Sequence, residues 1–191
     1  YVYDNHLTDK TQLTIESFGK VKYISLTLGE DGKVSMVKVN MGAPILKARD
    51  VPVLSEQEQV VNEEIEVNGK TYRMTCVSMG NPHAVVFVDD VAHLDIEKIG
   101  PYFENHERFP NRTNTEFVQV IDDSHVKMRV WERGTGETLA CGTGCCATAV
   151  ACVLNRLTGA HVTVQVLGGE IEIYWDQKEN LVYMTGPAVT V

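Results

Sequence analysis

Residues 143–157, TGCCATAVACVLNRL, are small or apolar on nearly every side until Asn155-Arg156. A helix with this composition has no polar face to give to water, so the rest of the chain has to surround it. Its longest nearly apolar run, Cys145 to Leu154, is too short to span a bilayer. The segment therefore reads as the centre of a core, with Gly159 as its expected stop.

Strands are what the remaining sequence offers as wrapping. Leu13 and Ile15, then Val21 to Leu28, then Val34 to Val39 alternate around Gly29-Glu30-Asp31-Gly32, a hairpin pattern. Residues 1–8 read as the end of a helix. Asn40-Met41-Gly42-Ala43-Pro44 breaks the pattern and places a domain boundary near Gly42. Beyond it, Glu64 to Val67 and Tyr72 to Ser78 flank Asn68-Gly69, a pair suited to a type I′ turn. Gly80-Asn81-Pro82-His83 interrupts before Ala84 to Val88 resumes as a strand. Residues 95–105 predict a helix that Gly100-Pro101 should break or kink. Thr115 to Ile121 and Val126 to Trp131 should pair, with Val126, Met128 and Val130 on one face. Runs at 162–166, 170–175 and 181–185 complete the set. Without a Rossmann-type alternation, the expected fold is α+β: antiparallel strands wrapped around a central helix.

Charge narrows the partners. Asp and Glu total 26 against 17 Lys and Arg, a formal charge of -9, and no basic cluster interrupts it. Nucleic acid and anionic membrane are disfavoured, and a small molecule is the expected partner. The first residues, YVYDNHLTDK, lack a signal peptide's basic start and apolar core, so a cytoplasmic location is expected. Four of the 5 cysteines fall within 141–152, too close along one helix to form a disulfide framework.

The chemistry should lie at the entrance to the buried helix, Glu132-Arg133-Gly134-Thr135-Gly136-Glu137-Thr138-Leu139-Ala140-Cys141-Gly142-Thr143-Gly144. Amides from Gly142 onward would be unpaired at a helix start, a geometry that binds anions and lowers the pKa of a thiol placed there. Cys141 is thus a candidate nucleophile, proton donor or proton acceptor. Glycines at 142 and 144 cost helix stability that packing alone does not explain. Cys145, Cys146 and Cys152 have helical spacing and read as small hydrophobes rather than metal ligands, and Cys76 as a core residue. Glu132, Arg133 and Glu137 can be aimed at the same cleft as Cys141, or form a surface ion pair. Asn81, His83 and Asn114 sit in breaks between strands, where ligand contacts often occur. His83 reads as a general base, a thiol partner or a structural histidine.

Four stretches resemble the diaminopimelate epimerase family: MGNPH at 79–83, HERFPNRTN at 106–114, ERGTGETLACGTG at 132–144 and YMTGPA at 183–188. The resemblance implies a cofactor-independent isomerase with no metal, interconverting LL- and meso-diaminopimelate in lysine biosynthesis. It implies two pseudo-symmetric lobes and two cysteines that face opposite sides of the substrate's α-carbon. Carried over by motif, Cys141 is one acid/base. Glu132, Arg133, Asn81 and Asn114 bind the distal amino-acid end, the amides of Gly142 and Thr143 hold the reacting α-carboxylate, and Glu132 and His83 assist the thiols. Association as a homodimer is compatible with this reading.

One departure matters. The family's second cysteine lies in a Cys-Gly-Asn-Gly-x-Arg-Cys motif, which does not occur in these residues. The expectation is that residues 1–42 are the C-terminal part of an incomplete N-terminal lobe, 43–186 a complete C-terminal lobe, and 187–191 a strand returning to the first. Such a chain holds half an active site and is expected to be inactive alone. Two alternatives remain: a proline-racemase-like isomerase of the same fold, against which the Glu132-Arg133 pair argues, and a non-catalytic thiol or metal-binding module.

Overall fold

The computed structural model describes residues 1–17 and 19–188. Its strands are β1 (Gln12–Ser17), β2 (Lys20–Leu28), β3 (Val34–Gly42), β4 (Glu63–Val67), β5 (Lys70–Ser78), β6 (Pro82–Phe87), β7 (Asn114–Val120), β8 (His125–Glu132), β9 (Gly136–Thr138), β10 (His161–Val166), β11 (Gly169–Asp176) and β12 (Leu181–Pro187). Two α-helices join them, α1 (Ile96–Glu104) and α2 (Gly142–Leu154). The strands form one curved sheet in the order β1-β2-β3-β12-β11-β10-β8-β7-β6-β5-β4, and β9 adds to β8.

The expected hairpins are present. β2 and β3 pair antiparallel, and Asn68 and Gly69 between β4 and β5 both take positive φ, 51° and 75°, as a type I′ turn requires. β7 and β8 pair as expected. Two neighbouring pairs are parallel instead, β6 with β7 and β8 with β10. Parallel neighbours need a crossover, and these are the two connections that carry α1 and α2. The purely antiparallel expectation is corrected there.

α2 is buried along nearly its whole length, from Gly144 to Cys152. Val77 and Val85, Val118, Val126, Met128 and Val130, and Val162, Val164, Ile173 and Val182 pack about it from successive strands. The sheet bends because every side of the helix needs covering. The opposite face, with Met74, Ala84, Val86 and Phe117, packs against Ile96 and Phe103 of α1. Alternation along β7 thus sends Val118 to α2 and Phe117 to α1.

Gly159 does not stop α2. Arg156 does so at φ 60°, with Leu157 N–H donating to the Cys152 carbonyl at 2.9 Å and Arg156 N–H to that of Val153 at 3.0 Å. This is a Schellman ending. Residues 1–7 close in the same way: His6 has φ 56°, Leu7 N–H donates to Val2 O and His6 N–H to Tyr3 O, each at 2.9 Å. The helix-end reading of this stretch has its counterpart there. Gly100-Pro101 does not break α1, which runs through both residues.

Residues 1–42 are tied to the rest by β12, which pairs β11 on one side and β3 on the other, from Val182↔Gly42 to Pro187↔Met36. The strand reaching the first segment is therefore Leu181–Pro187, starting earlier than the expected 187–191, of which residues 189–191 lie outside the described residues.

Gly100 of α1 lies directly against the Trp131 ring of β8. A Cβ there would lie 2.3 Å from the Trp131 ring atom Cδ2. Gly100→Ala should lower stability by about 1–3 kcal/mol through overpacking, despite alanine's better helix propensity. Urea unfolding checks this, and a midpoint equal to or above wild type would contradict the packing.

Candidate active site

Cys141 is the residue from which α2 starts. Its backbone is extended, φ -134° and ψ 107°, and its carbonyl accepts the first helical bond from Cys145 N–H at 2.8 Å. The amides of Gly142, Thr143 and Gly144 therefore belong to the first turn and have no partner within the helix. The thiol lies 3.5 Å from the Thr143 hydroxyl and is 8% exposed. Gly144 is required: a Cβ there would stand 3.3 Å from the Cys141 sulfur and 2.7 Å from Glu116 Oε1.

The expected lowering of the Cys141 pKa is not what this environment does. Burial and then the Glu116 carboxylate push it up to about 11, with Glu132 adding to the rise, while the Thr143 hydroxyl and the Gly144 amide pull the other way. The helix start acts as foreseen on the thiolate, but desolvation and two carboxylates outweigh it.

Beside the thiol lies a buried polar cluster on the α2 face of the sheet. His83, in β6 rather than in the break before it, places Nδ1 2.6 Å from Glu116 Oε1 of β7, and both residues are 0% exposed. Its Nε2 faces Asn81 Oδ1 at 3.1 Å. Asn114 is likewise not in a break: it opens β7 beside His83 in the parallel register. Its Nδ2 donates to the Pro82 carbonyl at 3.2 Å and its Oδ1 accepts from Arg133 N–H at 2.8 Å. One amide side chain thus fixes where β6 begins and where β8 ends.

Glu132 and Arg133 sit at the tip of the β8–β9 hairpin. Thr135 N–H closes the turn on Glu132 O at 3.0 Å, with Gly134 and Gly136 at φ 78° and 96°. The Thr138 hydroxyl donates to Glu132 Oε1, and Arg133 Nη1 donates to the Asn111 carbonyl at 2.8 Å. Glu104, 6% exposed at the end of α1, braces this hairpin. Its Oε1 accepts from Gly134 N–H at 2.9 Å and Arg112 Nη1 at 2.8 Å, and its Oε2 from Trp131 Nε1 at 2.8 Å. Glu137 points elsewhere, bonding the Arg129 guanidinium at 2.7 and 3.0 Å.

Comparison with known proteins shows the family of the chain. The diaminopimelate epimerase family model matches residues 75–191. A diaminopimelate epimerase from Methanococcus maripaludis is 56% identical over 191 residues, covering 100% of this chain and 69% of the relative. One from Agathobacter rectalis is 52% identical, with the same coverage. The chain belongs to the diaminopimelate epimerase family. Among solved structures, a Bacillus anthracis phenazine biosynthesis protein of the PhzF family superposes with TM-score 0.66 at 20% identity, covering 100% of this chain and 70% of that one. A hydroxyproline epimerase from Agrobacterium vitis gives 0.65 at 12%, covering 100% and 61%. At these identities the two show a shared fold.

In this member of the diaminopimelate epimerase family, the strand ends and the start of α2 bring Asn81, His83, Asn114, Glu132, Arg133, Cys141, Gly142 and Thr143 to one rim of the sheet. None of the polar ones lines the neighbouring cavity of about 430 Å³, whose walls include Val37, Val39, Ala140, Ile171 and Met184. Glu116, Glu104 and Thr138 escaped the sequence reading. The only signal for Glu116 was an acidic residue inside a strongly apolar strand run. Cys76, Cys145, Cys146 and Cys152 are all buried and free. Among the described residues no three His, Cys, Asp or Glu side chains gather as a metal site, and no helix is long and apolar enough to cross a membrane.

The thiols give a pH signature. Burial pushes Cys146 and Cys152 up to about 12, Cys141 to about 11, and raises Cys145 and Cys76 as well. In the unfolded chain thiols ionise near about 8.5. Above that value the unfolded state releases protons that the folded state keeps, so stability should be intact at neutral pH and fall as pH rises from about 9 through 11–12. Unfolding midpoints measured across this range test it, and a flat profile would contradict the burial of the thiols.

Proposed function

We propose that this rim forms one wall of a diaminopimelate epimerase site, with Cys141 as one of two acid/base thiols. The observation that carries the reading is Cys141 at the start of α2, its sulfur and the Glu116 carboxylate both against Gly144 and the first-turn amides adjoining it. The reacting α-carboxylate lies on the amides of Gly142 and Thr143, where oriented donors stabilise charge that develops as the α-proton leaves. Glu132, Arg133, Asn81 and Asn114 bind the distal amino and carboxylate groups, and Glu132 and His83 assist the thiols. No cofactor takes part in this scheme.

A thiol raised to about 11 rests protonated at neutral pH. In one direction Cys141 gives its proton to the α-carbon as a thiolate on the opposite face removes one. In the reverse direction Cys141, left as thiolate, is the base, so protons balance over each turnover. Cys76, Cys145, Cys146 and Cys152 are held in the core, so none of them serves as the opposing thiol. In this reading that thiol comes from outside these 191 residues. Residues 1–42 then belong to one lobe and 43–186 to the other, with the substrate between them.

Two measurements follow. The 191-residue chain, given LL-diaminopimelate in D2O, should neither form the meso isomer nor exchange the α-proton at an enzyme-like rate. Turnover comparable with that of the longer relatives would overturn the two-thiol reading. In a protein carrying both thiols, Cys141→Ala should lower kcat by on the order of 10²–10⁴-fold, and retained epimerisation would remove Cys141 from the mechanism.

A further inference from the structure

Glu116 is the most conspicuous side chain not yet given a role. It lies on the face of β7 that meets α2, one alternation from Val118, and its strand neighbours across the sheet are Val85 and Val130. An apolar residue is what that position's surroundings would take. Instead a fully buried carboxylate is present, one oxygen bonded to His83 Nδ1 and the other, Oε2, without a hydrogen-bond partner among the described residues. A buried charge or an unmet acceptor costs folding free energy. Packing alone gives no reason to keep one here, and the adjacent α2 residue is reduced to glycine to make room for it.

We propose that Glu116 is a positioning residue of the epimerase site, locking the His83 ring by its Nδ1 and setting a negative charge against the Cys141 thiol across Gly144. This rests on the reading above, in which His83 and Cys141 handle protons. With Nδ1 taken by the carboxylate, Nε2 is the ring nitrogen left facing Asn81, on the less buried side of the pair. A fixed ring orientation and tautomer are what a second-layer carboxylate supplies to a proton-handling histidine. Toward Cys141 the same carboxylate opposes thiolate formation, which suits a thiol that waits to donate. The other groups facing that sulfur are Glu132 from the β8–β9 hairpin, the Thr143 hydroxyl and Gly144 amide of α2, and the thiols Cys145 and Cys146.

The test uses Glu116→Gln, which keeps size and an acceptor oxygen while removing the charge, and Glu116→Asp, which restores the charge on a shorter arm. On the 191-residue chain, iodoacetamide labelling of Cys141, located by mass spectrometry, is followed from pH 7 to 10. Glu116→Gln should label Cys141 severalfold faster at pH 8, with Glu116→Asp near wild type. The His83 ring 15N signals should place a proton on Nδ1 in wild type and change in Glu116→Gln. In a protein carrying both thiols, kcat should fall about tenfold or more in Glu116→Gln, with KM changed less and the pH profile displaced. Unchanged labelling and unchanged ring signals in folded Glu116→Gln would overturn the proposal. Failure of the underlying two-thiol reading would appear separately, as activity retained in Cys141→Ala.

Discussion

Helix α2 has no side that tolerates water, and the architecture follows from covering it. Small residues, Ala147, Ala149 and Ala151 with Cys145, Cys146 and Cys152, let strands approach from many directions. β-branched residues on the inward face of each strand fill the space left. Burial of apolar area at about 25 cal/mol per Å² supplies the drive. The result is a helix whose far end is sealed by a Schellman turn at Arg156 and whose near end alone opens to the rim. The chemistry proposed for this protein lies at that near end, where the unpaired first-turn amides adjoin the Cys141 thiol.

The rim is held from both layers. Asn114 couples the start of β6 to the end of β8, and Glu104 reaches from α1 to fix the hairpin that carries Glu132 and Arg133. These bonds are made by side chains 4% and 6% exposed, where loss of one partner leaves others unmet. The groups proposed to face the ligand thus rest on strand and helix ends rather than on free loops, which is what the proposed two-sided proton transfer needs.

Much of this was legible in the sequence for physical reasons. The buried helix announced itself by composition, the hairpins by alternation and by Asn68-Gly69, and the candidate site by Cys141-Gly142-Thr143-Gly144 standing before an apolar run. The parallel pairs β6–β7 and β8–β10 were not legible, because a strand's alternation is the same whichever way its neighbour runs. Glu116 escaped notice as one polar position in the run from Thr115 to Ile121, and only the position of α2 reveals that it points inward. Gly159 looked like the helix stop, but the bonds that end α2 close at Arg156, three residues earlier. The direction of the Cys141 shift failed for a related reason: spacing along the chain shows the helix start but not the carboxylates that strands β7 and β8 bring beside it.

The central claim is that the open end of α2 receives the reacting end of the substrate. Titration of the 15N-labelled protein with meso-diaminopimelate, read at the backbone amides, tests it most directly. The account predicts that Gly142 and Thr143 show the largest shifts, moving together with Cys141. Saturable shifts elsewhere in the molecule, with these three amides unmoved, would contradict it.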